Sequence, residues 1–211
     1  MNRTLIETVR IRNGVAPLWY LHLRRLASSC KELGVPLPGE LPTPSGGLDR
    51  VHRLEVSRRG LQVGQRPMPP TVPVRLVISP VPHEGYPHKT TDRRPFERAL
   101  GDARQRGADD GILLTEAGFV AEAAIWTLFW WEDGRICAPP LALGILPSVA
   151  RARVTELVGG IEERRVRPAE ILGRPMLLGN AVRGLVDVTW LDGATLPEWP
   201  GLEALSDRFW A

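Results

Sequence analysis

Lysine is almost missing from this chain. Of 27 basic residues only Lys31 and Lys89 are lysine, and all the others are arginine. Arginine can supply surface charge anywhere, but it cannot form a Schiff base or act as a base near neutral pH. A retained lysine is therefore a candidate for its amine, against the plainer reading of a solvated loop residue. Cysteine is scarce too: Cys30 and Cys137 are too few for a disulfide framework and lack metal-ligand spacing, which suits a reducing compartment. There is no apolar run of about 18 residues, as a membrane span needs. The start, Met1 to Glu7, has no long apolar core of a secretory signal, so a cytoplasmic location is expected. One-sided charge is also lacking. The net charge is +3 with a pI near 9.3, but acids are interleaved with the arginines. The one dense stretch, Arg164-Arg165-Val166-Arg167, adjoins Glu162-Glu163, so nucleic acid is not an expected partner.

What is present is a 211-residue chain with 43% hydrophobic residues, enough for one large domain or two small ones. Leu5 to Ile11 reads as a strand turning at Asn13-Gly14. Leu18 to Leu33 has helical periodicity and a stop at Gly34. Residues 35–47 hold four prolines and three glycines and read as an extended connection. Leu48 to Arg59 is expected as a poorly capped helix, Val72 to Ser79 as a strand, and Pro80 to Pro87 as a linker. Beyond it come a helix over Phe96 to Gln105, a strand at Gly111 to Thr115, a turn at Glu116-Ala117-Gly118 and a strand from Phe119. A hairpin follows around Glu132-Asp133-Gly134. Pro147 to Leu157 reads as a helix, Met176 to Leu178 and Val186 to Leu191 as strands, and 192–211 as a polar tail anchored by Trp199 and Trp210. Helices and strands mix without a βαβ rhythm, which argues for α+β.

Three features carry chemistry. Lys89 lies in Pro87-His88-Lys89-Thr90-Thr91-Asp92-Arg93. Glu122 sits among Ala121, Ala123, Ala124 and Ile125, so it either faces solvent or pairs with a buried cation. Gly144-Ile145-Leu146-Pro147-Ser148 runs into a helix whose first N–H groups either are merely capped or hold an anion such as phosphate.

In this order, these segments resemble the class IV, branched-chain aminotransferase-like family of fold type IV pyridoxal phosphate enzymes. The branch they resemble most is the 4-amino-4-deoxychorismate lyases. The likeness rests on Leu5 to Arg10, His22-Leu23-Arg24-Arg25-Leu26, His88 to Arg93 and Thr115 to Glu122. It continues through Ala138-Pro139-Pro140-Leu141, Gly144 to Pro147, Arg151, Glu163 and Asn180-Ala181-Val182-Arg183-Gly184. It implies a two-domain fold: a small N-terminal α/β domain over 1–82 and a larger α/β pseudo-barrel domain over 83–211. It further implies pyridoxal 5'-phosphate as cofactor, Lys89 as the Schiff-base lysine and Glu122 as the acid at the pyridine nitrogen. Arg25, Ser148, Val149, Ala150, Asn180 and Ala181 fall in the phosphate cradle. Thr8 falls where the lyases carry a threonine and branched-chain transaminases tend to carry glycine. The substrate would be small and amino acid-like. A homodimer and an aminodeoxychorismate synthase component are the partners implied.

Arg75 and Arg183 are candidate carboxylate clamps, against the plainer reading of surface arginines. His88 braces Lys89, and His52 and His83 receive no role. The chain departs from the family pattern at Thr127, where asparagine is usual, at Ser148, where glycine is usual, and at Ala181, where a hydroxyl residue is usual. Ser148 could strain a turn built for glycine, or it could offer its hydroxyl to the phosphate. These changes leave open an aminotransferase, or a binding protein on the same scaffold that has drifted from catalysis.

Overall fold

A computed structural model describes residues 4–41, 43–45 and 47–211; the first three residues of the Met1 to Glu7 stretch lie outside this range. Two sheets organise the molecule. In the small one β1 (Leu5–Ile11), β2 (Arg50–Ser57) and β3 (Gly60–Pro67) run antiparallel in that order. Residues on a strand alternate between faces, and the two faces here do different work. Leu5 and Val56 pack on α1 (Trp19–Leu33), against Leu26 and Cys30, and Leu54 is buried on the same face. The other face carries Ile6, Thr8, Arg53 and Arg66 to the wall of a cavity. Helix α1 ends at Gly34, whose φ of 61° lets its N–H return to the Cys30 carbonyl, a left-handed stop that costs glycine least.

The second sheet has β4 (Val74–Pro82), β5 (Asp110–Leu114), β6 (Val120–Ala123), β7 (Thr127–Glu132), β8 (Arg135–Ala138), β9 (Glu162–Glu163), β10 (Met176–Asn180), β11 (Gly184–Leu191) and β12 (Ala194–Thr195). Its order is β6-β5-β4-β11-β10-β7-β8-β9, with β12 on β11. The pairs β4–β5, β4–β11 and β8–β9 are parallel. The sheet curls until its two edges meet, and the Val120 N–H donates to the Val166 carbonyl just beyond β9. Inside the curl Trp130, Leu128, Met176 and Leu178 are buried with Val186 and Val188. Helices α2 (Arg94–Gln105), α3 (Val149–Val158), α4 (Pro168–Ile171) and α5 (Leu202–Phe209) surround it. This half-barrel with a small sheet is an α+β architecture.

Several elements differ from expectation. The stretch Leu48 to Arg59 is strand β2, not a helix: Val51, Leu54 and Val56 are buried, and β-branched valines suit a pleated ladder better than a helix. Strand β4 runs on through Pro80 to Pro82, so much of the expected linker is strand. The boundary expected at 82/83 also falls inside the large sheet, because β4 pairs with β5 and β11. The two sheets part in the element-free stretch 68–73. The tail is not simply polar. It holds α5, Phe209 is fully buried, and Trp210 packs so closely on Gly184 that a Cβ there would meet its Nε1 at 2.9 Å.

Candidate functional site

Lys89 is held by its backbone. The Ile6 N–H donates to its carbonyl at 2.8 Å, and the Thr91 N–H donates to the Thr4 carbonyl at 3.0 Å, so the lysine loop is stitched to β1. From the other side the Tyr86 hydroxyl accepts the Thr90 N–H at 2.7 Å and donates to the Thr90 carbonyl at 2.6 Å. His88 reaches the Ser29 hydroxyl at 3.1 Å. Lys89 is half-buried; desolvation, then the charges of Arg25 and Arg93, lower its pKa to about 7, against an opposing pull from Glu7 and Glu122. A desolvated lysine with a pKa so lowered can act as a base near neutral pH.

Lys89 and Glu122 line one cavity of about 300 Å³, the lower end of the size range for small-molecule sites. Thr8, Arg25, Thr127, Ser148, Val149, Ala150, Asn180, Ala181 and Arg183 line it with them. A wider groove of about 920 Å³ lies beyond Tyr86 and Phe96, which wall both spaces, but it has neither Lys89 nor Glu122 on its lining. Among the described residues lining the cavity Glu122 is the sole acid; Arg25, Arg53, Arg66, Arg93, Arg183 and Lys89 are all basic. That imbalance selects for an anionic occupant.

The Glu122 carboxylate is anchored on one oxygen. Oε1 accepts from His83 Nε2 at 2.8 Å and from the Leu146 N–H at 3.3 Å, while among the described residues nothing donates to Oε2. The loop after Glu122 is fixed by Asp110, which accepts the N–H groups of Ala124 at 3.0 Å and Ile125 at 3.1 Å. Burial pushes Asp110 up to about 6 despite those donors.

Glu7 forms a second buried cluster. Its Oε1 accepts from Arg25 Nε at 2.9 Å, and its Oε2 accepts from Arg25 Nη2 at 2.5 Å and His22 Nδ1 at 2.6 Å. Burial alone would raise its pKa, but Arg25 and then His22 bring it down to about 2. Arg25 thus has one guanidinium nitrogen, Nη1, left for the cavity. The other residues expected in a phosphate cradle line the same cavity as Arg25. Ser148 has φ −73° and ψ 146°, ordinary extended backbone, so the strain expected of it is not there; its hydroxyl caps α3 by accepting the Arg151 N–H at 2.9 Å. The Val149 and Ala150 N–H groups at the helix start have no partner among the described residues, as expected for a first turn. Asn180 Oδ1 accepts from Val182 N at 3.0 Å and Arg183 N at 2.7 Å, so it shapes the turn that carries Ala181.

Arg75 does not reach the site. It is exposed on β4 and stacks 4.7 Å from the Trp190 ring, because its neighbours Val74 and Leu76 take the buried positions. Arg183 does reach it, lying 5.5 Å from the Trp126 ring; burial and the nearby charge of Arg66 lower its pKa. Arg53, Arg66, Arg93 and Tyr86 were not singled out from sequence, and neither was His83 as the partner of Glu122. Arg93 at least lies in the quoted Lys89 motif. The other signals are faint: one arginine among many, or one of four histidines.

The fold and this constellation define a family, and the comparisons agree. The family profile described as amino-transferase class IV matches residues 53–191, and the chain belongs to that family. A Schizosaccharomyces pombe protein provisionally described as an aminodeoxychorismate lyase is 28% identical over 152 residues, 64% of this chain and 66% of that one. The Escherichia coli branched-chain-amino-acid aminotransferase is 28% identical over 102 residues, 46% of this chain and 33% of that one. The chain thus spans just under two thirds of the first relative and a third of the second. Among solved structures, a provisionally assigned amino-acid aminotransferase from Mesorhizobium loti superposes with a TM-score of 0.78 at 25% identity, covering 89% of this chain and 99% of that one. The branched-chain aminotransferase of Thermoproteus uzoniensis has the same fold, with a TM-score of 0.84 at 19% identity over 98% and 84% of the two chains.

Proposed function

We propose that the chain is a pyridoxal phosphate enzyme acting on a dicarboxylate amino substrate, as a 4-amino-4-deoxychorismate lyase that releases 4-aminobenzoate and pyruvate. The observation that carries this reading is the shared cavity: Lys89, Glu122 and Thr8 line it, and all its other charged lining is cationic. The donor set fits the cofactor. An amine meets an aldehyde, a carboxylate with one uncommitted oxygen meets a basic ring nitrogen, and the α3 N-terminus with Arg25 meets a phosphate. Bound pyridoxal phosphate would supply an electron sink for charge left on the substrate carbon beside its amine.

The chain does the rest. Glu122 Oε2 holds a proton at the ring nitrogen. Arg25 Nη1 and the N–H groups of Val149, Ala150 and Ala181 hold the phosphate. Arg53, Arg66 and Arg183 hold substrate carboxylates, and a chorismate-type substrate has two. Lys89, with its pKa near 7, takes the proton from the carbon bearing the amine. As the enolpyruvyl C–O bond breaks and the ring becomes aromatic, Thr8 delivers a proton toward the departing enol. A cavity so dominated by arginine favours such a diacid over a branched-chain amino acid.

The test is to supply purified protein, pyridoxal phosphate and 4-amino-4-deoxychorismate with no keto acid; 4-aminobenzoate should appear. Lys89→Ala should lose both the visible absorbance of the loaded protein and the product. Product formation by Lys89→Ala at the normal rate would refute the reading. The likeness to the Mesorhizobium protein across 99% of its length supports a second reading as an aminotransferase. Amino transfer to a keto acid, without release of 4-aminobenzoate, would select it. The same reading carries a homodimer, seen as a solution mass about twice the 23.4 kDa chain. Among the described residues no helix is long and apolar enough to cross a membrane.

A further inference from the structure

We infer that His83 is a positioning residue that turns the Glu122 carboxylate so that a single oxygen faces the cavity. The inference rests on the cofactor reading above and concerns a residue that reading does not use. His83 is not on the cavity lining; it stands in the wall between the cavity and the wider groove behind it. Its side chain is buried, with a relative exposure of 2%, and its ring lies edge-on to Phe96 with centroids 6.3 Å apart. Its backbone is pinned where the His83 N–H donates to the Leu114 carbonyl at 2.8 Å. The two ring nitrogens have distinct partners. The Gly85 N–H points at Nδ1 from 3.3 Å, so Nδ1 is the acceptor and the proton sits on Nε2. That nitrogen donates to Glu122 Oε1 at 2.8 Å. The Leu146 N–H donates to the same oxygen.

Two donors on Oε1 fix the carboxylate plane and leave the charge of Oε2 for a basic partner. The bond donated by Nε2 needs a lone pair on Oε1, which a carboxylate oxygen supplies. Without His83 the carboxylate could rotate about its last bond, and its free oxygen would be shared between the cavity and the space the imidazole left. Partners of this indirect kind orient the group that does the binding, as they do around metal ligands.

The experiment compares the affinity of the ligand-free protein for pyridoxal phosphate and for its deaza analogue, whose ring nitrogen is a C–H. Both keep the aldehyde and the phosphate, so their ratio reads the contact of Glu122 with the ring nitrogen and cancels general loosening of the fold. Wild type should prefer pyridoxal phosphate. His83→Leu should reduce that preference roughly tenfold, the scale of one hydrogen bond to a charged group. His83→Gln, which keeps an N–H donor, should restore most of it. The nitrogen shifts of His83 in the ligand-free protein should show the proton on Nε2. An unchanged ratio in His83→Leu, or a proton on Nδ1, would overturn the inference while leaving the cofactor reading intact. A wild-type protein that binds neither aldehyde would overturn both.

Discussion

Two buried acid–imidazole pairs act on Lys89, one from each sheet, and they are built to opposite ends. Glu7 with His22 and Glu122 with His83 have nearly the same contact length, 2.6 Å and 2.8 Å. Glu7, however, spends both oxygens on protein: Arg25 takes one and shares the other with His22. Burial lowers the pKa of His22 despite its bond to Glu7, so this imidazole is neutral and its Nε2 is left buried with no partner. His83 uses both nitrogens, and its acid keeps one oxygen back. A buried carboxylate whose lone pairs are consumed holds structure; one deliberately left short is available to a ligand. Burial alone does not distinguish them, for Glu7 and Glu122 are 2% and 7% exposed.

The largest effect that could break this contrast lies in stability. Glu7→Gln leaves Arg25 without its buried counter-ion and should cost about 3–5 kcal/mol of unfolding free energy, read by denaturant titration. The pH dependence gives the same test a sign. The pKa of Glu7 is lowered to about 2 from 4.5, so between those values the unfolded chain binds the extra proton. The Glu7 contribution is therefore complete above pH 4.5 and lost as pH falls toward 2. Glu7→Gln should flatten that acid limb. If stability and its acid limb are unchanged, Glu7 is not the structural member of the two.

Glu122→Gln should do the reverse. It keeps the shape and an oxygen to accept from His83 and Leu146, but removes the charge offered to the cavity. Turnover should fall by about 10²–10³-fold, a loss on the scale of 2.7–4 kcal/mol seen when one preorganised electrostatic partner is removed. The melting temperature should move far less than in Glu7→Gln. If both variants lose stability and activity in parallel, the division between a saturated and an open acid is wrong.

How much of this was legible follows from how each residue announces itself. Lys89 stood out because lysine is so rare here, and Glu122 because an acid among alanines needs a reason to be buried. Strand β1 and helix α1 were legible because one apolar face shows the period of its element. Strand β3 was invisible: its residues are almost all exposed, and it is held by the backbone ladder to β2 rather than by apolar side chains. With β3 went Arg66, and misreading β2 as a helix hid Arg53 on its cavity-facing side. His83 was lost in a segment read as linker from its prolines, although its bond to Glu122 spans 39 positions of sequence. Arg66→Met tests what that hairpin adds. Losing one charge-assisted contact, worth about 1.5–3 kcal/mol, should raise KM roughly tenfold or more for a dicarboxylate, and little for a substrate with one carboxylate.

The smallest expected effect is the control. From sequence, Arg75 and Arg183 had equal standing as carboxylate clamps, yet only Arg183 lines the cavity. Arg75 lies outward on β4 over Trp190, an exposed cation–π contact worth about 0.5–1 kcal/mol. Arg75→Ala should therefore cost no more than that in stability and leave KM unchanged, whereas Arg183→Ala should raise KM. An Arg75→Ala enzyme with a tenfold weaker KM would mean that the strand's alternation does not govern which arginine meets the substrate. The open acid would then no longer share its cavity with the full set of groups that bind the anion.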